Sequence, residues 1–386
     1  MSMKLKDRTD LSFPEAASII VGHGIGAGIL SVPYLASRNS IRDILIILVL
    51  CTLFNIVLHL LIAELSLNNG GAQFVTCFHA ELFHGLFKKI FTWLAFALMG
   101  FSVIVNVGAY LTGAAAVFES WFGVSRIVGM LLFYVFCAAV VFFGVKLVGI
   151  CEKYAVGAMV LVVLVLLAAV LAGSTSPLPT QFRTWSNVLA LFGMVSFSLS
   201  AVMSTPQVVK GLGMKPGRIR AAISTGIVVN ACVIFLVTLT TLMGTGSAIT
   251  EDGALVDLAR KMGGWVSIVG YIFTLLALAT SFWTNTLNLR DIILEQVHWN
   301  RDLCWLAASL PPLVLAVLAS SSFVTLSRIA SIIMVVTSLG IILAYNRSRK
   351  RVGRSELLGS FGTLPFQLIV LALSLLATIG SVLKVS

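Results

Sequence analysis

The sequence holds few charged residues: Asp, Glu, Lys and Arg make up 11% of the 386 positions, whereas 59% are hydrophobic. Soluble domains carry about 25% charged residues, so this chain has more apolar side-chain surface than a soluble fold can bury. Most of the sequence consists of apolar runs long enough to cross a ~30 Å hydrocarbon layer as helices. We therefore expect an integral membrane protein surrounded by a lipid bilayer.

Cysteine is also scarce. The six cysteines are scattered, without a CxxC pair and without histidines at the spacing of a metal site. This pattern argues against a disulfide scaffold and against a zinc site. The sequence also has no nucleophile paired with a base and no paired carboxylates in a plausible arrangement. We therefore predict that the protein is not an enzyme and that it uses no cofactor.

Acidic residues are fewer than basic ones, 15 against 26, which gives a formal net charge of +11. In a soluble protein such an excess would suggest nucleic acid. In a membrane protein, basic residues instead report orientation, because they are retained in cytoplasmic loops. Most of the lysines and arginines fall on the cytoplasmic side if the N-terminus lies there. We predict a plasma (inner) membrane protein with a cytoplasmic N-terminus, an external C-terminus and no nucleic-acid partner.

The apolar runs predict eleven membrane-spanning helices joined by short loops. The predicted spans cover residues 13–37, 42–67, 90–118, 126–144, 153–173, 187–210, 219–244, 264–290, 303–319, 326–346 and 362–383. Because few residues lie between the spans, we expect residues 1–386 to form a single all-α transmembrane domain.

The first predicted span contains a segment that disfavours a continuous helix. Gly22, Gly24, Gly26 and Gly28 alternate with other residues, and Pro33 follows. Glycine costs about 1 kcal/mol and proline about 3 kcal/mol per helix position relative to alanine. At membrane depth such a segment is tolerated only where it is buried in protein or lines a cavity. The unwound backbone would be free to bind a ligand, and close packing of small residues is the alternative.

The sixth span has a similar interruption, a serine-rich segment from Gly193 to Pro206. Because five is an odd number, two five-span units must cross the membrane in opposite directions. This predicts inverted repeats at about 13–173 and 187–346, with an extra helix at 362–383. Two interrupted spans in corresponding positions indicate the central site of a transporter that works by alternating access. A channel would instead need a continuous polar lining.

These motifs resemble the amino acid/polyamine/organocation transporter superfamily. The segment GAGILSVP at 26–33 is similar to its first-span motif of two glycines, an apolar pair and a proline. Residues 206–223 are similar to the end of its sixth span and the loop that follows. Within the superfamily, the chain resembles the amino acid/auxin permease branch, which includes sodium-coupled neutral amino acid transporters. The resemblance implies a LeuT-type fold, with discontinuous first and sixth helices and an eleventh helix, and amino acid symport.

The resemblance also places a substrate site between spans 1, 3, 6, 8 and 10. Broken helices offer free N–H groups to a carboxylate and free carbonyl groups to an ammonium, and an α-amino acid has both. Asn106 is either a substrate contact or a bond between helices. Since no charged residue is expected at the centre, neutral amino acids are favoured. The predicted substrate-binding residues are Gly26, Ala27, Gly28, Asn106, Ser196, Phe197, Ser198 and Ser200.

Span 8 contains a candidate sodium site. Ala277, Thr280 and Ser281 share one helical face, which offers one carbonyl and two hydroxyl oxygens. Sodium is a hard cation that prefers oxygen ligands. The resemblance implies that the carbonyl groups of Gly22 and Ile25 complete a cage of five oxygens.

Proton coupling is the alternative, and it needs a group that titrates inside the membrane. The 15 carboxylates, Glu15 and Glu64 included, fall near predicted span ends or in loops, and the fifth span carries no charge from Tyr154 onward. We therefore expect no acidic group at the centre. His23 lies beside the predicted sodium ligands and titrates near neutral pH, so it is a possible proton site, whereas His59 is expected to be structural. A transporter-like amino acid sensor is a further alternative.

Overall fold

The structure is a computed structural model that describes residues 9–26, 28–173, 175–180, 184–246, 249–250, 254–318, 323–353 and 355–383. Within these residues the regular elements are helical. The fifteen α-helices are α1 Phe13–Ile25, α2 Gly28–Ser37, α3 Ile41–Asn68, α4 Phe74–Glu81, α5 Lys88–Phe122, α6 Arg126–Phe142, α7 Val145–Ala172, α8 Trp185–Ser198, α9 Thr205–Gly211, α10 Pro216–Thr245, α11 Ala254–Met262, α12 Gly264–Val297, α13 Arg301–Leu318, α14 Phe323–Val352 and α15 Leu364–Val382.

Two predicted spans are discontinuous, as expected from their composition. The first consists of α1 and α2, which are separated at Gly26, where φ is +21° and ψ is −148°. The sixth consists of α8, a 3₁₀ turn at Val202–Ser204, and α9. The polar and glycine-rich segments therefore end helices in the middle of the bundle.

The predicted spans coincide with helices or with these broken helix pairs. Among the described residues, eight helical segments are long and apolar enough to cross a membrane. These eight are α3, α5, α7, the pair α8–α9, α10, α12, α13 and α15. The other predicted spans coincide with α1–α2, α6 and α14. The predicted all-α membrane fold is therefore confirmed.

Several helices continue past the predicted spans. Helix α7 starts at Val145 rather than at 153, and α12 continues to Val297 rather than ending at 290. The extra turns carry charged residues such as Lys146 and Glu295. Charged residues lower local hydropathy, so hydropathy marks the apolar part of a helix and leaves out its charged ends.

Polar contacts join the ends of several helices on the side where α1 begins. Lys146 on α7 forms an ion pair with Glu15 on α1 at 2.7 Å, with both side chains largely buried. The backbone N–H of Leu11 donates to the Gly211 carbonyl at the end of α9. Because these contacts tie α1 to α7 and α9, they hold the helices of both broken spans together.

The basic cluster at the end of α14 also makes structural contacts. Arg351 forms an ion pair with the buried carboxylate of Glu81 at 2.6 Å. Arg347 donates to the carbonyl groups of Glu81 and Leu82. These arginines therefore hold α4 against α14, in addition to any role in setting orientation.

The last helix, α15, packs against α8 through two glycines. A Cβ atom at Gly193 would lie 2.5 Å from the Ala377 carbonyl oxygen and from the Ser381 nitrogen, and one at Gly380 would overlap the Leu189 carbonyl oxygen. The two backbones can therefore approach closely only because both positions lack a side chain.

We expect Gly380→Ala to lower the thermal unfolding temperature, because its methyl group must push α15 away from α8. Overpacking of this kind costs about 1–3 kcal/mol, which exceeds the gain in helix propensity of about 1 kcal/mol. The matched control is Gly157→Ala on α7, where nothing lies within 4 Å of the added atom. Equal unfolding temperatures for the two variants in detergent would contradict this packing.

Candidate functional site

A cavity of about 130 Å³ lies between the two helix breaks. It is lined by residues from α1, α3, α5, α8, α12, α14 and α15, and from the segment between α8 and α9. Compared with the predicted site, α3 and α15 are additional. The predicted substrate residues on its wall are Gly26, Asn106, Ser196, Phe197 and Ser200.

Two other predicted substrate residues pack against each other instead of lining this cavity. A Cβ atom at Gly28 would overlap Ser198 Oγ and lie 3.0 Å from Ser198 Cβ. The Ser198 hydroxyl donates to the Met194 carbonyl, and the Ser198 carbonyl accepts from Asn230. At Gly28, therefore, the small residue allows close helix packing, which was the alternative to ligand binding. Ala27 lies outside the described residues.

A polar wall of the cavity is formed by α5 and α12. The residues that line this wall are Asn106, Tyr110 and Asn285. Asn106 and Tyr110 are four residues apart on α5, and Asn285 lies one turn beyond Ser281 on α12. The buried Tyr110 hydroxyl lies within interaction range of Ser281, Asn106 and Asn285. Asn106 Oδ1 is buried without a hydrogen-bond partner among the described residues. It is therefore an acceptor that a bound donor could satisfy.

Tyr110 and Asn285 were not among the predicted site residues. Both could be found from helical periodicity, since each lies four residues after a predicted residue on the same helix. Both were missed because the site was predicted mainly from the unwound segments. Tyr110 lies on the same face of α5 as Asn106, and Asn285 lies on the same face of α12 as Ser281.

Apolar side chains form the remaining wall. Phe54 and Leu58 on α3, Met99 and Val103 on α5, and Met203 in the turn before α9 line the cavity together with Phe197. Aromatic and methionine side chains offer broad, polarisable contact surfaces. This part of the cavity can therefore enclose an apolar group.

Two of the predicted sodium ligands, Gly22 on α1 and Ser281 on α12, are in contact. Ser281 Oγ donates to the Gly22 carbonyl at 3.2 Å, and Thr280 Oγ1 donates to the Ala277 carbonyl at 2.9 Å. Ile25, the last residue of α1, is fully buried. The carbonyl end of α1 thus faces the polar face of α12, which gives a cluster of buried oxygen atoms.

A buried carboxylate also lies at this cluster, contrary to the expectation that no acidic group would be found there. Glu152 on α7 is 0% exposed, and neither of its carboxylate oxygens has a partner among the described residues. A Cβ atom at Gly22 would overlap Glu152 Oε2 and would lie 2.9 Å from Thr280 Cβ. The predicted span began after Glu152, whereas α7 begins at Val145 and places Glu152 within the bundle.

The two histidines near the helix breaks have different surroundings. His23 lines the cavity, and its Nδ1 lies 2.8 Å from the Ser204 hydroxyl. His59 is fully buried: its Nδ1 lies 2.6 Å from the Asn55 carbonyl, and its Nε2 accepts the backbone N–H of Ala201. These partners assign to His59 the neutral tautomer with the proton on Nδ1, so His59 supports the break in the sixth span.

Comparison with known proteins identifies a matching family and a similar fold. The sequence model of the tryptophan/tyrosine permease family matches residues 9–380. The fold is similar to that of Mhp1, a nucleobase-cation-symport-1 family transporter, solved in a closed conformation with bromovinylhydantoin bound. The TM-score is 0.65 at 14% sequence identity, over 96% of this chain and 90% of that chain. No curated protein matches the sequence.

These matches confirm a multi-pass membrane transporter with the predicted LeuT-type fold. The matches do not include the amino acid/auxin permease branch. Membership of that branch therefore stays a prediction.

We expect Gly28→Ala to destabilise the contact between α2 and α8, and Ser198→Gly to restore it in the double variant. The added methyl group overlaps the serine hydroxyl, a clash worth about 1–3 kcal/mol. A double-mutant cycle of unfolding temperature and uptake measures the coupling between the two positions. If Ser198→Gly alone abolished uptake and the double variant were no better, the serine would contact substrate instead.

Proposed function

Because the chain belongs to the tryptophan/tyrosine permease family, we propose that it is a secondary active transporter of neutral amino acids with aromatic side chains. In this proposal it works by alternating access in the plasma (inner) membrane, with a cytoplasmic N-terminus and sodium as the coupling ion. The observation that carries the proposal is the cavity between the two helix breaks, where polar groups line one part and apolar side chains the other.

The polar part of the cavity is suited to the amino acid head group. Gly26 lines the cavity just before the start of α2 at Gly28, and the positive dipole end of α2 favours a carboxylate there. The carbonyl end of α8 and the unpartnered Asn106 Oδ1 favour an ammonium group. An α-amino acid bound between these elements would satisfy both.

The apolar part supports a neutral aromatic side chain. None of the described residues that line the cavity is Asp, Glu, Lys or Arg, so a charged substrate side chain would be buried without a partner, at a cost of several kcal/mol. Phe54, Met99 and Met203 can pack against a planar ring. The name of the matched family points to the same class of substrate.

The oxygen cluster at Gly22, Thr280 and Ser281 supports a sodium site. Its hydroxyl groups donate to carbonyl groups, and rotation of these hydroxyls would turn their lone pairs toward a cation without moving either helix. Proton coupling is the second candidate, and the observation that favours it is a buried titratable group beside the cluster, Glu152.

Proteoliposomes that contain only this protein test the proposed function. We expect labelled tryptophan, tyrosine and phenylalanine to be accumulated when an inward sodium gradient is present, and lysine and glutamate to be excluded. The panel is repeated with a proton gradient alone. Accumulation driven only by protons would replace sodium as the coupling ion, and absence of uptake and of exchange for all amino acids would favour the sensor.

We expect Asn106→Leu to raise the Km for the transported amino acid by about 10- to 100-fold, because a hydrogen bond to a charged ammonium is worth about 1.5–3 kcal/mol. The matched control is Thr112→Val on the same helix, because the Thr112 hydroxyl donates to the Gly108 carbonyl of its own helix. Equal Km values for Asn106→Leu and the wild type would assign Asn106 to helix packing.

A further inference from the structure

Glu152 occupies an unusual environment for a carboxylate. It is fully buried in α7, and both oxygens lack a hydrogen-bond partner among the described residues. Glu64 on α3, which is also fully buried, differs in this respect, because its Oε2 accepts hydrogen bonds from the Ser355 hydroxyl and the Leu358 N–H. An ionised carboxylate without a partner costs several kcal/mol in a protein interior. The charge of Glu152 must therefore be neutralised by something that binds there.

Nearby side chains are engaged elsewhere. Lys146 on α7 pairs with Glu15 on α1, and Arg290 on α12 pairs with Asp291. Lys153, the residue after Glu152, lies 4.6 Å from the centre of the Tyr154 ring. Other charged or titratable groups lie on the helices packed against α7. His23 on α1 faces Ser204, and Arg220 on α10 donates to the Glu356 carbonyl. Glu295 on α12 accepts hydrogen bonds from Gln73 and Thr76.

The atoms around Glu152 favour a cation. One of its oxygens lies in the space that a side chain at Gly22 would fill, and Thr280 borders the same space. The Gly22 carbonyl also accepts a hydrogen bond from the Ser281 hydroxyl. Carbonyl, hydroxyl and carboxylate oxygens are the ligands that hard cations prefer, and all three kinds occur around Gly22 in the last turn of α1.

We propose that Glu152 is the anionic ligand of the coupling sodium ion. Sodium neutralises Glu152 between α7, α1 and α12 and thereby stabilises their packing around the occupied cavity. This inference rests on the proposed function, because it identifies the group through which that transporter senses its ion. Loss of the cation leaves a buried negative charge, which weakens the contact between α1 and α7.

Thermal unfolding of the purified protein tests the inference without transport. Sodium chloride is compared with choline chloride at constant pH, and pH is varied without sodium. A ligand that binds only the folded state raises the unfolding temperature. We expect sodium to raise the unfolding temperature of the wild type, and Glu152→Gln to lose that response. A wild type that is stabilised by acidification but not by sodium would overturn the inference. Glu64→Gln, the matched buried control, should respond as the wild type does.

Transport measurements in proteoliposomes separate a cation ligand from a structural residue. Glu152→Gln should lose gradient-driven accumulation and bring internal substrate only to the external concentration, while exchange of internal for external amino acid continues. Retained sodium dependence in Glu152→Gln, in either stability or accumulation, would overturn the inference, as would a wild type indifferent to sodium. If the wild type responded to sodium but carried no amino acid, only the proposed function would fail.

Discussion

The architecture depends on how closely other helices approach the glycine-rich end of α1 and the start of α2. At each of the four glycines, a Cβ atom would meet a polar side chain from a different helix at 2.7 Å or less. Glu152 of α7 lies at Gly22, Asn230 of α10 at Gly24, Ser281 of α12 at Gly26 and Ser198 of α8 at Gly28. The alternation of glycine with other residues therefore does more than weaken the helix: it lets four polar side chains reach the backbone.

This close approach explains how a broken helix is tolerated at membrane depth. Backbone groups freed by a break must find partners inside the protein, since lipid offers none. Ser281 donates to the Gly22 carbonyl, while Asn230 and His59 bond the backbone of the other break at Ser198 and Ala201. The two breaks thus sit within one network of side chains. Asn106 Oδ1 and the Glu152 carboxylate are among the buried polar groups without partners in the described part of the chain. They lie beside this network, where a substrate and an ion would complete it.

Sequence reasoning predicted the parts of the site that depend on composition and periodicity. The two breaks follow from glycine, serine and proline content, and the polar face of Ser281 follows from helical periodicity. The contact of that face with Gly22 on α1 came from the family resemblance. Glu152 was missed because hydropathy places the start of the fifth span after it, although the helix begins at Val145. The pairing of Gly28 with Ser198 was also missed, since sequence spacing does not reveal which small residues on different helices face each other.

Neighbouring side chains connect the cavity with the proposed cation site, which gives ion coupling a short physical route. Ser281 bonds the Gly22 carbonyl on one side and lies near Tyr110 on the other, and Tyr110 lies near Asn106 on the cavity wall. A cation at Glu152 would draw the oxygen atoms of Gly22 and Ser281 toward itself and so change the hydrogen bonding of Tyr110 and Asn106. Because packed interiors shift between discrete arrangements rather than deform continuously, such a change would favour one arrangement of the whole wall. In the proposed mechanism the ion therefore acts on the substrate through the hydroxyl of Ser281, and no long-range pathway is needed.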